Sequence, residues 1–293
     1  MVNNMVEENV YALAWKALEA QRPLPRRLRN IITIPFERLQ RNVLRQDFSF
    51  VSAIVDSLYS GDVYVLKGAY PQDFMMRLRD QLHQHGQAVP SEFYPMLEGV
   101  PNYHRIIDAE IAKNYSFESI KHSYYFFPWN PDTFNVFNVA YPPWRIIKQL
   151  SGLRPDEYER NTPKDGMVDR LQIVHYPAGA GRIETHSDPY QVHRLIISCF
   201  MSKRGRDYQA GGVYFINQEQ QKVDCEDRLD IGDMQIYFPT ILHGVETIDE
   251  GASLDWNSSR GRWWFGPFSN SSNHVEKRHM GFGVKEEEIG VKV

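Results

Sequence analysis

The sequence predicts an α+β protein, with helices in its N-terminal region packed on an antiparallel jelly roll or barrel. The first observation is a change of period. Apolar residues recur at helical spacing early in the chain, and from residue 170 they gather instead into short β-branched and aromatic runs. The second is punctuation. The runs LQIVHY, RLIISCFM, GGVYFIN, MQIYF and RWWF are separated by PAGAG, KRGRDYQAGG, DIGD and DEGASLDWNSSRG, and many short strands at such spacing curl together to hide their edges. The third is size. A chain of 293 residues, 42% hydrophobic and 13% aromatic, can bury one large core. One domain is expected across 1–293: a mostly helical region with a first core strand over 1–110, a jelly-roll core with an aromatic-rich insert over 111–268, and a tail over 269–293.

In chain order, residues 5–21 (MVEENVYALAWKALEAQ) are rich in helix formers and place Val10, Leu13, Ala14 and Leu18 at helical spacing. The prolines of QRPLPRRLRN end that helix. A short helix follows near 48–59, and Val63, Tyr64, Val65 and Leu66 read as a buried strand. Pro71 opens a helix whose Phe74, Met75, Leu78 and Leu82 share a face, and Gly86 stops it. His83 and His85 sit at the end of that helix, where cations suit the dipole, so they read as structural. Residues 89–165 show no clear period. Their cluster YYFFPWNPDTFNVFNVAYPPW at 124–144 reads as packing plus loop, or else as a hydrophobic wall or lid over a substrate pocket. After Phe268 the strand pattern is lost.

A net charge of −4 and a pI near 6.2, with no long run of Lys and Arg, argue against a surface built to neutralise nucleic-acid phosphates, although SKRGR at 202–206 is a local basic patch. The start MVNNMVEENVY has neither the basic lead nor the apolar run of a secretory signal, and no segment reaches the length of a membrane span. A soluble, cytoplasmic protein is therefore expected, its oligomeric state left open, and the long N-terminal region and aromatic cluster suggest a covered pocket for a small or medium-sized molecule. Cys199 and Cys225 cannot build a disulfide framework or a zinc ribbon and read as structural.

The stretch THSDPY at 185–190 sets His186 and Asp188 two residues apart. With 10 His and 18 Asp in the chain, accidental His-x-Asp triplets are expected ~0.6 times, so the triplet alone proves little. In an extended strand, however, residues i and i+2 face the same way, so both side chains point into a barrel if the strand lines one. A third ligand must come from another strand, and GDMQIYFPTILHGVE offers His243 at the end of one. Two histidines and one carboxylate on one face of a metal leave three open positions. That arrangement suits Fe(II) that binds a bidentate cosubstrate and dioxygen together.

The segment from about 171 to 268 resembles the double-stranded β-helix core, jelly-roll and cupin-like, of the Fe(II)- and 2-oxoglutarate-dependent oxygenases, with phytanoyl- and prolyl-hydroxylase-like members nearest in pattern. HYPAGAGRIETHSD, AGGVYF, GDMQIYFPTILHGVE and RWWF follow in that family's order, and GDVYVLKGAYPQDFMMRLRDQL is similar to the strand and helix that often precede the core. The resemblance implies metal ligation by His186, Asp188 and His243. It also implies a basic residue at the start of the last core strand, holding the far carboxylate of 2-oxoglutarate through paired charge-assisted bonds. Arg262 fits that place, with Arg260 in reserve if the strand begins sooner. Tyr176 matches a position whose hydroxyl reaches the cosubstrate in prolyl-hydroxylase-like members, or it simply packs.

Gln172, on the face of Tyr176, is a candidate substrate or cosubstrate contact, and His175, on the opposite face, is kept as a candidate pocket residue. Arg194 pairs with either a substrate acid or a surface carboxylate. Gly211-Gly212 reads as a hairpin turn, and a three-ligand site has no need of His193. The implied reaction hydroxylates an unactivated C–H bond of a small or medium-sized metabolite and releases succinate and CO2, with ascorbate as the reductant in vitro. Halogenating relatives carry a small residue where Asp188 stands, so hydroxylation is preferred. Two rivals are weaker. A cupin-type metalloenzyme that does not use 2-oxoglutarate normally carries His-x-His followed by Glu, which THSDPYQVHR lacks, and a non-catalytic β-sandwich binding module would not need the ligand set.

Overall fold

In the computed structural model, which describes residues 9–190, 194–278 and 281–284, the N-terminal helices form where side chains cap them. Asn9 starts α1 (Val10–Glu19) by accepting the Tyr11 amide, and the helix buries Tyr11, Ala12 and Trp15. Leu13, expected on the buried face, is 49% exposed, because the two larger aromatics set the helix's rotation. Residues 5–8 of the expected helix lie outside the described residues. β1 (Ile31–Pro35) and α2 (Phe36–Arg45) follow, neither of them expected, and Asp47 caps α3 (Phe48–Tyr59). β2 (Val63–Lys67) runs parallel to β1. Pro71 precedes α4 (Gln72–Ala88), which buries Met75, Leu78 and Leu82. Gly86 does not stop this helix. A Cβ there would lie 2.4 Å from the Tyr124 hydroxyl, so the glycine lets the helix approach the sheet closely.

Much of the unread stretch between 89 and 165 is regular. β3 (Tyr103–Ile107), the short α5 (Ala109–Ala112) and β4 (Ser119–Phe126) precede α6 (Val136–Leu150). Pro142 and Pro143 lie inside α6, and each removes an amide donor, which is why the segment does not read as a helix. Asp132 starts it, accepting the amides of Val136 and Phe137 at 2.7 and 2.9 Å. The aromatic cluster is thus divided between β4 and α6 as packing, with Tyr124, Phe126, Phe127, Phe137 and Trp144 buried.

The remaining strands are β5 (Met167–Pro177), β6 (Arg182–Ser187), β7 (Ile196–Phe200), β8 (Gly212–Ile216), β9 (Lys222–Asp224), β10 (Met234–Tyr237), β11 (His243–Glu246), β12 (Gly261–Ser271) and β13 (Phe282–Gly283). They form a strongly curled, mostly antiparallel sheet in the order β1-β2-β10-β7-β12-β5-β4-β6-β11-β8-β9, with β3 added to β4 and β13 to β6. β4 turns the corner. Its second half pairs with β5 and its first residues pair with β6, so that one half of the jelly roll faces the other. β12 runs on past Phe268 to Ser271, paired with β5 throughout. Cys199 and Cys225 are buried free thiols, and no helix among the described residues is long and apolar enough to cross a membrane.

Candidate metal centre

β6 and β11 are neighbours, and their register sets His186 opposite His243, with ring centroids 4.3 Å apart. Each Nδ1 contacts the backbone carbonyl two residues earlier, His186 that of Glu184 and His243 that of Ile241, both at 2.9 Å. A carbonyl only accepts, so each Nδ1 carries the proton and both Nε2 lone pairs are left for a ligand. Asp188 follows β6, its amide donating to the Pro239 carbonyl at 2.9 Å and its Oδ2 lying 3.5 Å from His243 Nε2. One ligand atom from each of the three lies within 4.8 Å of the others. Phe117 stacks on His186 at 4.6 Å and closes one side.

Burial, helped by His243, pushes the His186 pKa well down and keeps the imidazole neutral. Burial raises the Asp188 carboxyl, against the pull of His243 and Lys121. Two imidazole Nε2 atoms and a carboxylate that gains from a nearby cation are the donor chemistry of a divalent iron site, and the three side chains fit one.

The group opens into a cavity of about 170 Å³ lined by both halves of the sheet. Alternation along β12 sends Arg262 and Trp264 into it and Trp263 to the other face. Arg262 is 2% exposed, stands in register with Tyr176, and donates from Nε to Glu226 at 2.9 Å. Glu226 also accepts the Tyr208 hydroxyl and, at 2.7 Å, the Val213 amide. Burial opposes the guanidinium's charge, but Glu226 and Tyr208 outweigh it and raise the Arg262 pKa. Tyr176 and Gln172 line the same cavity. Lys121 of β4 lines it too, its amine lowered to about 8 by burial and by Arg170, with Asp188 opposing.

Three candidates lie elsewhere. His175 faces away from the cavity, stacked on Trp263 at 4.4 Å with its Nε2 against the Arg260 carbonyl, as alternation from Tyr176 requires. Arg260 precedes β12, which begins at Gly261, and its side chain, 56% exposed, pairs with Asp249 at 2.9 Å. Arg194 pairs with Glu19 at 2.8 Å and lines a separate cavity of about 420 Å³ beside α6. His193 lies outside the described residues. Sequence reasoning missed Lys121, Glu226 and Tyr208. The alternation of Lys121, Ser123 and Tyr125 in SIKHSYYF was the available signal for the first, whereas Glu226 carries no local pattern.

Fold and site together define a double-stranded β-helix protein with a two-histidine, one-carboxylate group inside the roll. No protein-family model matches the sequence, and no curated protein matches it. Solved structures do. The C-terminally truncated thymine-7-hydroxylase of Neurospora crassa, in its apo form, is 14% identical with a TM-score of 0.50, over 80% of this chain and 93% of that one. A prolyl-4-hydroxylase of Pseudomonas putida is 13% identical with a TM-score of 0.45, over 74% and 96%. A 2-oxoglutarate- and Fe(II)-dependent oxygenase family protein of Caulobacter crescentus is 15% identical with a TM-score of 0.46, over 81% and 85%. At such identities the likeness is one of fold.

Proposed function

We propose that this chain, read as one domain, is an Fe(II)- and 2-oxoglutarate-dependent dioxygenase of the cytoplasm. It hydroxylates an unactivated C–H bond of a small or medium-sized metabolite and releases succinate and CO2. One observation carries the reading: His186, Asp188 and His243 offer ligand atoms within 4.8 Å of one another in the cavity that holds the buried Arg262. His186, Asp188 and His243 would hold the iron, which when bound supplies the oxidative decarboxylation of the cosubstrate and the oxidation of the C–H bond. Arg262 would pair with the far carboxylate of 2-oxoglutarate. Glu226 engages Nε, leaving the Nη edge for that paired contact. Tyr176, in register with Arg262, would direct its hydroxyl to the same carboxylate, and Gln172 would meet cosubstrate or substrate, since both line the cavity. The apolar walls exclude water and present one C–H bond to the metal. Asp188 would ligate the metal where halogenating relatives carry a small residue, which favours hydroxylation over halogenation.

The test is succinate formation. Purified protein with Fe(II), ascorbate and dioxygen is expected to convert 2-oxoglutarate to succinate slowly without substrate, and His186→Ala or Asp188→Ala to abolish it. Equal succinate from wild type and His186→Ala would refute the assignment.

A further inference from the structure

We propose that the substrate carries an anionic group on an apolar body, a carboxylate or a phosphate monoester, and that Lys121 and Arg170 hold that group. The proposal rests on the oxygenase function and names the substrate class of its cavity. Lys121 and Ser123 on β4 share a side of the sheet with Arg170 and Gln172 on β5, and Gln172 ties the two strands, donating to Ser123 at 3.3 Å and accepting from Arg170 at 3.0 Å. The Arg170 guanidinium lies 5.2 Å from the Tyr125 ring centroid and 6.0 Å from that of Phe268, a residue that lines the cavity. Its buried Nε has no hydrogen-bond partner. Neither Lys121 nor Arg170 has an ion-pair partner among the described residues.

Asp188 is the one acidic side chain lining the cavity among the described residues. Iron, Asp188 and dianionic 2-oxoglutarate together leave one negative charge, and Arg262 is already matched by Glu226. Lys121 balances that charge, and Arg170 leaves one positive charge over. A half-buried cation with an unmade N–H bond gains strongly from an anionic ligand. Val174, Trp264 and Phe268 supply apolar wall to the cavity, and Arg170, which stands in register with Phe268, flanks that wall behind Gln172. An anionic group on an apolar body meets both halves of this surface: a carboxylate matches the leftover charge, a phosphate monoester exceeds it by up to about one charge near neutral pH, and a neutral or cationic substrate leaves Arg170 unmatched.

The experiment uses full-length protein loaded with Zn(II), a redox-inert stand-in, and saturating 2-oxoglutarate, which occupies Arg262. Calorimetry then compares 3-phenylpropionate, phenyl phosphate and the neutral 3-phenylpropionamide. One anion is expected to bind at least about tenfold more tightly than the amide, and which one does so tells carboxylate from phosphate. Lys121→Met and Arg170→Met should each reduce that preference, and Lys121→Arg should keep it. Affinity for 2-oxoglutarate, measured first in each variant, should hold and thereby show that the variant folds. Equal binding of anions and amide, no anion binding, or an unchanged preference in both Met variants would overturn the proposal. So would a Lys121→Met variant that loses 2-oxoglutarate instead. A wild type that fails to bind 2-oxoglutarate would overturn the oxygenase function itself, and this proposal with it.

Discussion

Gly212 has no Cβ, and that absence lets Glu226 into the roll. At φ +135° the residue is in a conformation that suits glycine, and a Cβ would meet the Glu226 carboxylate at 2.6 Å. Glu226 reaches past it to take the Arg262 Nε, so Gly212, which opens β8 and does not sit in a hairpin turn, is coupled to the guanidinium on another strand. Arg262 and Arg260 then separate cleanly, one buried beside the metal ligands and the other paired with Asp249 at the surface. Arg262→Met is expected to weaken 2-oxoglutarate binding roughly 10- to 100-fold, the worth of hydrogen bonds between charged groups, and Arg260→Met to leave it nearly unchanged. Calorimetry on the metal-loaded variants measures both, and the reverse ranking would move the clamp to Arg260.

Among elements, the seam where α4 lies over β3, β4 and β5 is sensitive to acid. His104 Nε2 donates to the Val89 carbonyl, so its Nδ1 must accept from His122 Nε2 at 2.7 Å, and His122 Nδ1 accepts the Tyr124 hydroxyl at 3.3 Å. The chain requires neutral rings. Burial takes His122 to about 3, with His104 and His175 adding, and takes His175 to about 3, while His104 is also lowered. Their unfolded pKa is about 6.5, so the stability these rings contribute is complete above that pH and is lost as pH falls toward their folded values. Asp169, raised to about 6 by burial, and Asp188, also raised by burial, oppose this, while the buried His186, held well down, adds to it. The net fall is on the order of 1–3 kcal/mol per pH unit between about pH 6 and 4.5. Urea unfolding of the metal-free protein at several pH values measures it, and His122→Gln should make the dependence shallower. Stability that held level or rose over that interval would contradict the seam.

For the whole molecule, legibility followed local signals. LQIVHY, RLIISCFM, MQIYF and RWWF are strands on paper and in space because β-branched and aromatic runs end at turn residues. His186, Asp188, His243 and Arg262 were named from ordered motifs, and the curl of the sheet sets them in one cavity. What stayed hidden is non-local. α6 runs through Pro142-Pro143, Lys121 acquires its setting only when β4 bridges the two halves, and Glu226 meets Arg262 through a gap left by a missing side chain. His175 is no pocket residue, because the alternation that points Tyr176 into the cavity turns its neighbour away.

The central claim is that one roll brings a two-histidine, one-carboxylate metal site and an Arg-held cosubstrate together. Anaerobic protein titrated with Fe(II) and then 2-oxoglutarate tests it most directly. A visible charge-transfer absorption should appear only when both are present, saturate at one equivalent of iron, and vanish in His243→Ala. No absorption in the wild type, or the same absorption in His243→Ala, would contradict the account.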